Sequence, residues 1–324
     1  MSSHKTAIIL SNLGTPANNT QSAVKAFLKQ FLSDTRVVEI PRVIWWFILN
    51  LLILPFRSKT ALEAYNEIWT SEGSPLMAIS LRQQAALQQK LGDKVKVELM
   101  MRYGQPSFSS VINGLLAEGY QRLIILPLYP QNSATTTATT FDHIADTLRR
   151  QRAVPDISFI SDYHAHPAYI HALADSVREH WKQQQRQRFL LMSFHGLPQR
   201  NIDLGDPYYD QCMGTAHLLA TILGLGSDQW IMSFQSRFGK QTWIQPYTSE
   251  SLVAMADKGL KEIDVICPGF SADCLETLEE IQMQNREIFI QHGGEQYYYI
   301  ACLNDRPDHI NMMAELVQPL IIAE

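Results

Sequence analysis

The chain of 324 residues is 46% hydrophobic and 18% charged, the composition of a folded globular protein, and it excludes a disordered one. A formal net charge of −5 and a pI near 6.1, with no run of like charge, exclude a nucleic-acid binder, which would carry a basic stripe. Cys212, Cys267, Cys274 and Cys302 include no Cys-x-x-Cys pair, so no disulfide framework, zinc knuckle or iron–sulfur motif is expected.

In chain order, Thr6–Leu10 is the first predicted strand. Met1–Lys5 leads into it without the apolar stretch and cleavage site of a signal peptide, so the expected location is the cytoplasm. Ser11-Asn12-Leu13-Gly14-Thr15-Pro16 follows as a turn rich in Gly and Pro, then an amphipathic helix over Gln21–Leu32. From Val43 to Leu54 the chain is almost wholly apolar, flanked by Arg42 and Arg57. A spanning helix needs about 20 such residues, so this run is too short to cross a bilayer. It fits either a buried core helix or a helix lying in a membrane interface, and the paired Trp45 and Trp46 beside basic flanks suit the second.

Pro75 is suited to the first position of a helix that continues through Leu81–Leu91. The strand Val95–Met101 ends at Arg102-Tyr103-Gly104, where Arg102 is either a surface arginine or a bidentate partner for a carboxylate. The strand Leu123–Leu128 runs into Tyr129-Pro130-Gln131-Asn132-Ser133 and a hydroxyl-rich loop, Ala134–Thr140, that enters the helix Ala138–Arg150. Such a loop is either a plain polar cap or an acceptor for a ligand carboxylate. The polar stretch Arg149–Asp156 is the expected seam between two domains, 1–153 and 154–324.

Beyond the seam, strands are predicted at Ile157–Ile160, Phe189–Phe194, Trp230–Phe234, Ile263–Cys267 and Tyr297–Leu303. Helices are predicted at Ala168–Gln184, Ala216–Leu223, Ser249–Lys258, Ala272–Gln284 and Asp308–Ile322, the last a candidate to pack back on the first domain. Near-continuous apolar strands alternating with helices indicate two facing Rossmann-like α/β domains, each a doubly wound parallel sheet with helices on both faces and ligands in a cleft. His195 stands where one buried strand stops, at His195-Gly196-Leu197-Pro198, and Gly205-Asp206-Pro207-Tyr208 follows. The carboxyl end of such a strand is where open parallel sheets bind ligands. Tyr163, His164 and His166, after another strand, are weaker candidates of the same kind.

The strand Ile263–Cys267 leads to a second such place, with Ser271 as a plausible N-cap. At 3.6 residues per turn, Asp273, Glu276, Glu280 and Glu287 share one stripe, opposite Leu275, Leu278, Ile281 and Ile288. The stripe is either a solvated acidic face or a row of carboxylates turned to a ligand.

Ser193-Phe194-His195-Gly196-Leu197-Pro198, the Gly-Asp-Pro-Tyr after it, and Ser271-Ala272-Asp273-Cys274-Leu275-Glu276-Thr277-Leu278-Glu279-Glu280 resemble the signatures of the ferrochelatases. That family inserts ferrous iron into a porphyrin, the last step of haem synthesis. The resemblance covers nearly the whole chain and implies that His195 and Glu276 act from opposite sides of the macrocycle. Which one takes the pyrrole protons and which passes the metal stays open. His195, Glu276 and Glu280, with Asp273 as a further candidate, are then the metal-handling groups. Leu13, Arg102, Tyr103, Tyr129, Ser133, Thr135, Thr136, Gln235 and Trp243 are the implied substrate contacts, the last two from Gln235-Ser236-x-x-Gly239…Trp243. Residues 41–56 correspond to a lip over the active site, which favours peripheral contact with the inner face of a membrane through 43–54.

Two positions depart from the family: many relatives carry histidine where Cys274 stands, and several carry an acid where Gln284 stands. The implied reaction is Fe²⁺ + protoporphyrin IX → haem + two protons. It requires no cofactor, and no iron–sulfur cluster is expected because no cysteine follows Cys302. The alternatives are a chelatase for coproporphyrin or cobalt, and a haem- or metal-binding carrier.

Overall fold

The computed structural model describes residues 5–239 and 241–322. Eight strands are present: β1 Lys5–Gly14, β2 Lys96–Tyr103, β3 Tyr120–Pro127, β4 Asp156–Phe159, β5 Phe189–His195, β6 Trp230–Gln235, β7 Glu262–Ile266 and β8 Gln296–Ile300. They form two four-stranded parallel sheets of the same design, β2-β1-β3-β4 and β6-β5-β7-β8. The apolar runs explain the choice. Ala7–Leu10 and Leu190–Met192 are fully buried, as strands must be when helices cover both faces of a sheet.

The chain divides into two compact units. The first runs to Tyr129, resumes at Ser133–Asp162 and takes the chain again from Ile310 onwards; the second comprises Pro130–Asn132 and Tyr163–His309. The expected seam after residue 153 lies too early. β4 pairs with β3, Leu123 opposite Ile157, so the chain completes the first sheet before leaving it. The polar stretch Arg149–Asp156 is the loop before that edge strand.

In the first unit Ile9, Met100, Phe108, Ile112 and Leu123 build the core beside β1. The helix Phe108–Ala117, which carries two of them, was not anticipated in the sequence. β1 extends past Leu10 to Gly14, so Ser11–Gly14 are strand residues and not a turn. Gly14 has φ +107°, and a Cβ there would lie 1.8 Å from the Tyr103 carbonyl oxygen, so only glycine closes this strand pair.

The apolar segment after Arg42 belongs to a continuous helix, Arg42–Ile68, of 27 residues, long and apolar enough by length and composition to cross a membrane. The run of 43–54 is therefore not a short isolated element. The two tryptophans also part company. Trp45 is 5% exposed, packs with Leu32, Leu49 and Leu54, and donates from Nε1 to the Leu32 carbonyl at 2.6 Å. Trp46 is 56% exposed and lies on a face with Val43, Ile44, Phe47, Leu51 and Leu52.

In the second unit Leu191, Val265, Ile281 and Phe289 form the core. The helix predicted over Ala272–Gln284 starts later and runs further, from Glu276 to Asn285 with π-helical i→i+5 geometry and on through Arg286–Gln291. Ser271 therefore does not cap it. The helix has no side-chain cap; just inside it the Thr277 hydroxyl accepts from the preceding Cys274 amide at 2.9 Å.

Candidate active site

In both sheets the strand order reverses around one strand, β1 in the first and β5 in the second. The crevice at the carboxyl end of such a switch point is the ligand site of an open α/β sheet. In the second unit it is flanked by the end of β5, which is His195, and by the segment after β7, which leads to Glu276.

His195 is half-buried, and its Nδ1 lies 2.7 Å from the Gly196 carbonyl oxygen. A carbonyl only accepts, so Nδ1 carries the proton and Nε2 presents a free lone pair. A neutral imidazole nitrogen of this kind has the chemistry to take up a proton or to ligate a metal. The imidazole sits 6.4 Å from the Phe270 ring, and Tyr208 of the Gly-Asp-Pro-Tyr that follows is buried. Gly196 is fixed by crowding. A Cβ would meet the Gln235 carbonyl at 2.7 Å and the Trp243 ring at 3.1 Å, so the indole lies against the backbone beside His195. Trp243 is held there by its Nε1 donating to the Phe238 carbonyl at 2.8 Å.

The π-helix changes the acidic stripe. Its buried positions are Thr277, Ile281, Asn285 and then Phe289, a repeat of four that follows from the wider turn. The row beside it is accordingly Glu276, Glu280 and Gln284. Glu287 does not extend the row; it is exposed and accepts from Gln291 at 3.0 Å. Burial pushes the Glu280 carboxyl above the usual range, and the neighbouring Glu276 charge adds to the rise; the Ser236 donors and His195 oppose it.

Asp273 is not part of the row. It precedes the helix, is buried, and its carboxylate accepts from Tyr299 Oη at 2.6 Å, Asn304 Nδ2 at 2.7 Å and Thr277 Oγ1 at 3.0 Å. Its Oδ1 also faces the Cys302 amide at 3.4 Å, so this carboxylate serves as a structural anchor. Cys274 is buried, and burial together with the Glu276 charge pushes its thiol up. Among the described residues, no three His, Cys, Asp or Glu side chains are gathered tightly enough to hold a metal ion.

Gln235 is also withdrawn from substrate. Its Nε2 donates to the Glu276 carbonyl at 2.8 Å and its Oε1 accepts from Ser193 at 2.8 Å, so both ends are used inside the protein. Nothing in the sequence signalled this brace, or the contact of Ser236 with Glu280.

The first unit carries the other anticipated contacts at the ends of β1, β2 and β3. Leu13 is half-buried, one residue before Gly14. Arg102 does not offer its fork to a ligand: Nη2 pairs with Asp34, Nε donates to Thr139 at 2.7 Å, and the guanidinium covers the Tyr103 ring at 4.5 Å. Tyr103 is fully buried and donates to Asp34 at 2.9 Å, so it belongs to that network and not to a ligand surface. Ser133 caps the hydroxyl-rich segment, accepting from the Thr135 amide at 3.2 Å. The hydroxyls of Tyr129 and Thr136 are buried without a hydrogen-bond partner in the protein, leaving them a partner to gain from water or substrate.

An imidazole with a free nitrogen and a row of carboxylates thus flank the switch point of a doubly wound sheet. The fold is that of solved chelatases: SirB from Bacillus subtilis, solved with Fe³⁺, superposes with a TM-score of 0.58 at 12% identity, covering 98% of this chain and 96% of that one. CbiX, described as the terminal enzyme for biosynthesis of sirohaem in denitrifying bacteria, gives a TM-score of 0.50 at 11% identity over 97% and 98% of the two chains. Residues 5–320 match the Ferrochelatase family model. A ferrochelatase of Aeromonas hydrophila is 54% identical over 316 residues, 97% of this chain and 98% of the relative, and one of Klebsiella pneumoniae is 50% identical over 97% and 98%. The chain belongs to the ferrochelatase family.

Proposed function

We infer that the protein inserts ferrous iron into a porphyrin, the iron-inserting step of haem biosynthesis, with protoporphyrin IX as the substrate. The observation that carries this is the family match over residues 5–320, with His195 at the end of β5 and Glu276 opening the helix that follows the neighbouring strand β7. The reaction exchanges two pyrrole protons for one Fe²⁺ with no change of oxidation state, so it calls for a base and a metal donor and for no cofactor.

The roles follow from the chemistry. A flat porphyrin holds its inner protons where the metal must go, and bending it turns lone pairs to one face and N–H groups to the other. His195 Nε2 serves one face as base or donor, and Glu276 and Glu280 serve the other. One imidazole and a few carboxylates hold Fe²⁺ loosely enough to release it, which a closed thiolate site would not. Leu13, Tyr129, Ser133, Thr135, Thr136 and Trp243 keep the porphyrin-contact roles that the family pattern implies. The exposed apolar face of Arg42–Ile68 lies on a membrane interface, and the protein acts from the cytoplasmic side.

The test is an anaerobic assay with protoporphyrin IX and ferrous iron, followed by loss of the free-porphyrin bands, with His195→Ala and Glu276→Ala alongside. Turnover by the wild type only, with both variants still binding porphyrin, is the expected result. Cobalt outpacing iron, or coproporphyrin outpacing protoporphyrin, reassigns the substrate. Stoichiometric binding without metallation makes the protein a carrier.

A further inference from the structure

β6 ends at Gln235, and Ser236 turns at once into the left-handed region with φ +64°. Among the described residues only two other non-glycine residues have positive φ, Gln185 at a helix C-terminus and Asn304, an asparagine of the type that tolerates it. Serine has neither excuse, and such a conformation persists only when the surroundings fix it. Here its consequence is specific. The Ser236 amide donates to Glu280 Oε1 at 2.7 Å, and the Ser236 hydroxyl donates to Glu280 Oε2. One residue thus holds both oxygens of one carboxylate, and Gln235 Nε2 lies 3.5 Å from Oε2 behind it.

We propose that Ser236 is a positioning residue that fixes the plane of the Glu280 carboxylate for handing over the metal; the proposal rests on Glu280 being one of the metal-handling groups. Oε2 accepts from both Ser236 and Gln235, whereas Oε1 gives one lone pair to the Ser236 amide and keeps another free. A carboxylate held this way offers a metal a single, oriented, weak contact and not a chelating grip, which is what a donor that must let go needs. Glycine would relax the backbone here but would lose the hydroxyl, so the serine carries a conformational cost of about 1 kcal/mol that glycine would avoid.

The test measures Ser236→Gly, Ser236→Ala and Ser236→Thr beside the wild type in the anaerobic assay, varying ferrous iron and protoporphyrin IX independently. Co²⁺ titration followed by visible absorption is the second readout. Loss of one hydrogen bond to a charged group predicts that Gly and Ala raise KM for iron roughly tenfold and weaken cobalt binding to match, with KM for porphyrin unchanged. Thr restores the hydroxyl but puts a β-branched side chain at positive φ, so its iron KM is read on the folded fraction, where it recovers towards the wild type. Because Ser236→Gly removes backbone cost, its folding is secure even where Ser236→Ala is unstable. A wild type that metallates nothing overturns the function and this proposal with it. A wild type that turns over, matched by Ser236→Gly in iron KM and cobalt affinity, overturns the proposal alone.

Discussion

The side-chain amide of Gln235 donates to the backbone carbonyl of Glu276 at 2.8 Å. Because the same side chain accepts from Ser193 at 2.8 Å, it joins the end of β6 to β5, which carries His195, and to the first residue of the π-helix, which carries the carboxylates. A single buried amide therefore sets the imidazole and the acidic row in register. Gln235→Leu keeps the volume but leaves the Glu276 carbonyl without this donor and Ser193 without this acceptor. The expected cost is roughly 2–4 kcal/mol of stability from two buried hydrogen bonds. Since a small displacement at a reacting centre costs rate steeply, kcat should fall at least about tenfold while porphyrin affinity holds. Thermal unfolding and steady-state kinetics on the one variant read both; full activity at a lowered Tm would reduce Gln235 to a packing residue.

Asp273 is expected to matter for stability and not for metal. Its carboxylate collects donors from Tyr299, Asn304 and Thr277, and an asparagine amide would turn an N–H₂ group towards at least one of them. Asp273→Asn should cost roughly 2–4 kcal/mol. Denaturant midpoints measure that, and Co²⁺ titration of the folded variant should match the wild type. A stable variant with weakened cobalt binding would return Asp273 to the metal-handling groups.

Much of this was readable in the residues, and the limits have physical causes. All eight strands fall on predicted apolar runs; the central ones need no polar alternation because both their faces are buried, whereas the edge strand β4 is exposed to half-buried. His195 was placed by the end of one such run. The π-helix was not legible, since 3.6 residues per turn is the default period and nothing local in Glu276–Asn285 announces a wider turn; hence Glu287 was assigned to the row and Gln284 placed beyond its end. Arg102, Tyr103 and Gln235 were read as free for ligand because their type and position allow it. Their actual partners, Asp34 some 68 residues away from Arg102 and Ser193 42 residues away from Gln235, lie at distances along the chain that no local pattern reports.

The split between Trp45 and Trp46 makes a paired prediction for the lip. Trp46→Glu with Leu51→Glu places charge on the exposed apolar face and should abolish co-sedimentation with anionic liposomes while leaving Tm nearly unchanged. Trp45→Ala should do the reverse, costing about 3–5 kcal/mol through the emptied core around Leu32, Leu49 and Leu54. Liposome binding that survives the double substitution would remove the membrane role from this face.

His309 makes stability depend on pH. It is fully buried, its Nδ1–H donates to the Asn304 carbonyl at 2.7 Å, and its Nε2 has no hydrogen-bond partner in the protein. Burial pushes its pKa down from 6.5 to about 4. A folded-state pKa below the unfolded one means the unfolded chain binds the extra proton, so stability rises with pH. The contribution of His309 is complete above about pH 6.5 and is lost as pH falls through the window down to about 4, in total on the order of 3 kcal/mol. Urea unfolding at intervals between pH 4.5 and 7.5 should show that slope in the wild type. In His309→Gln the slope should flatten by about one proton, whatever the variant's stability at neutral pH, because glutamine has no proton to take up. Identical slopes would place the titration on another group and mean that His309 takes up its proton equally in the folded and unfolded states.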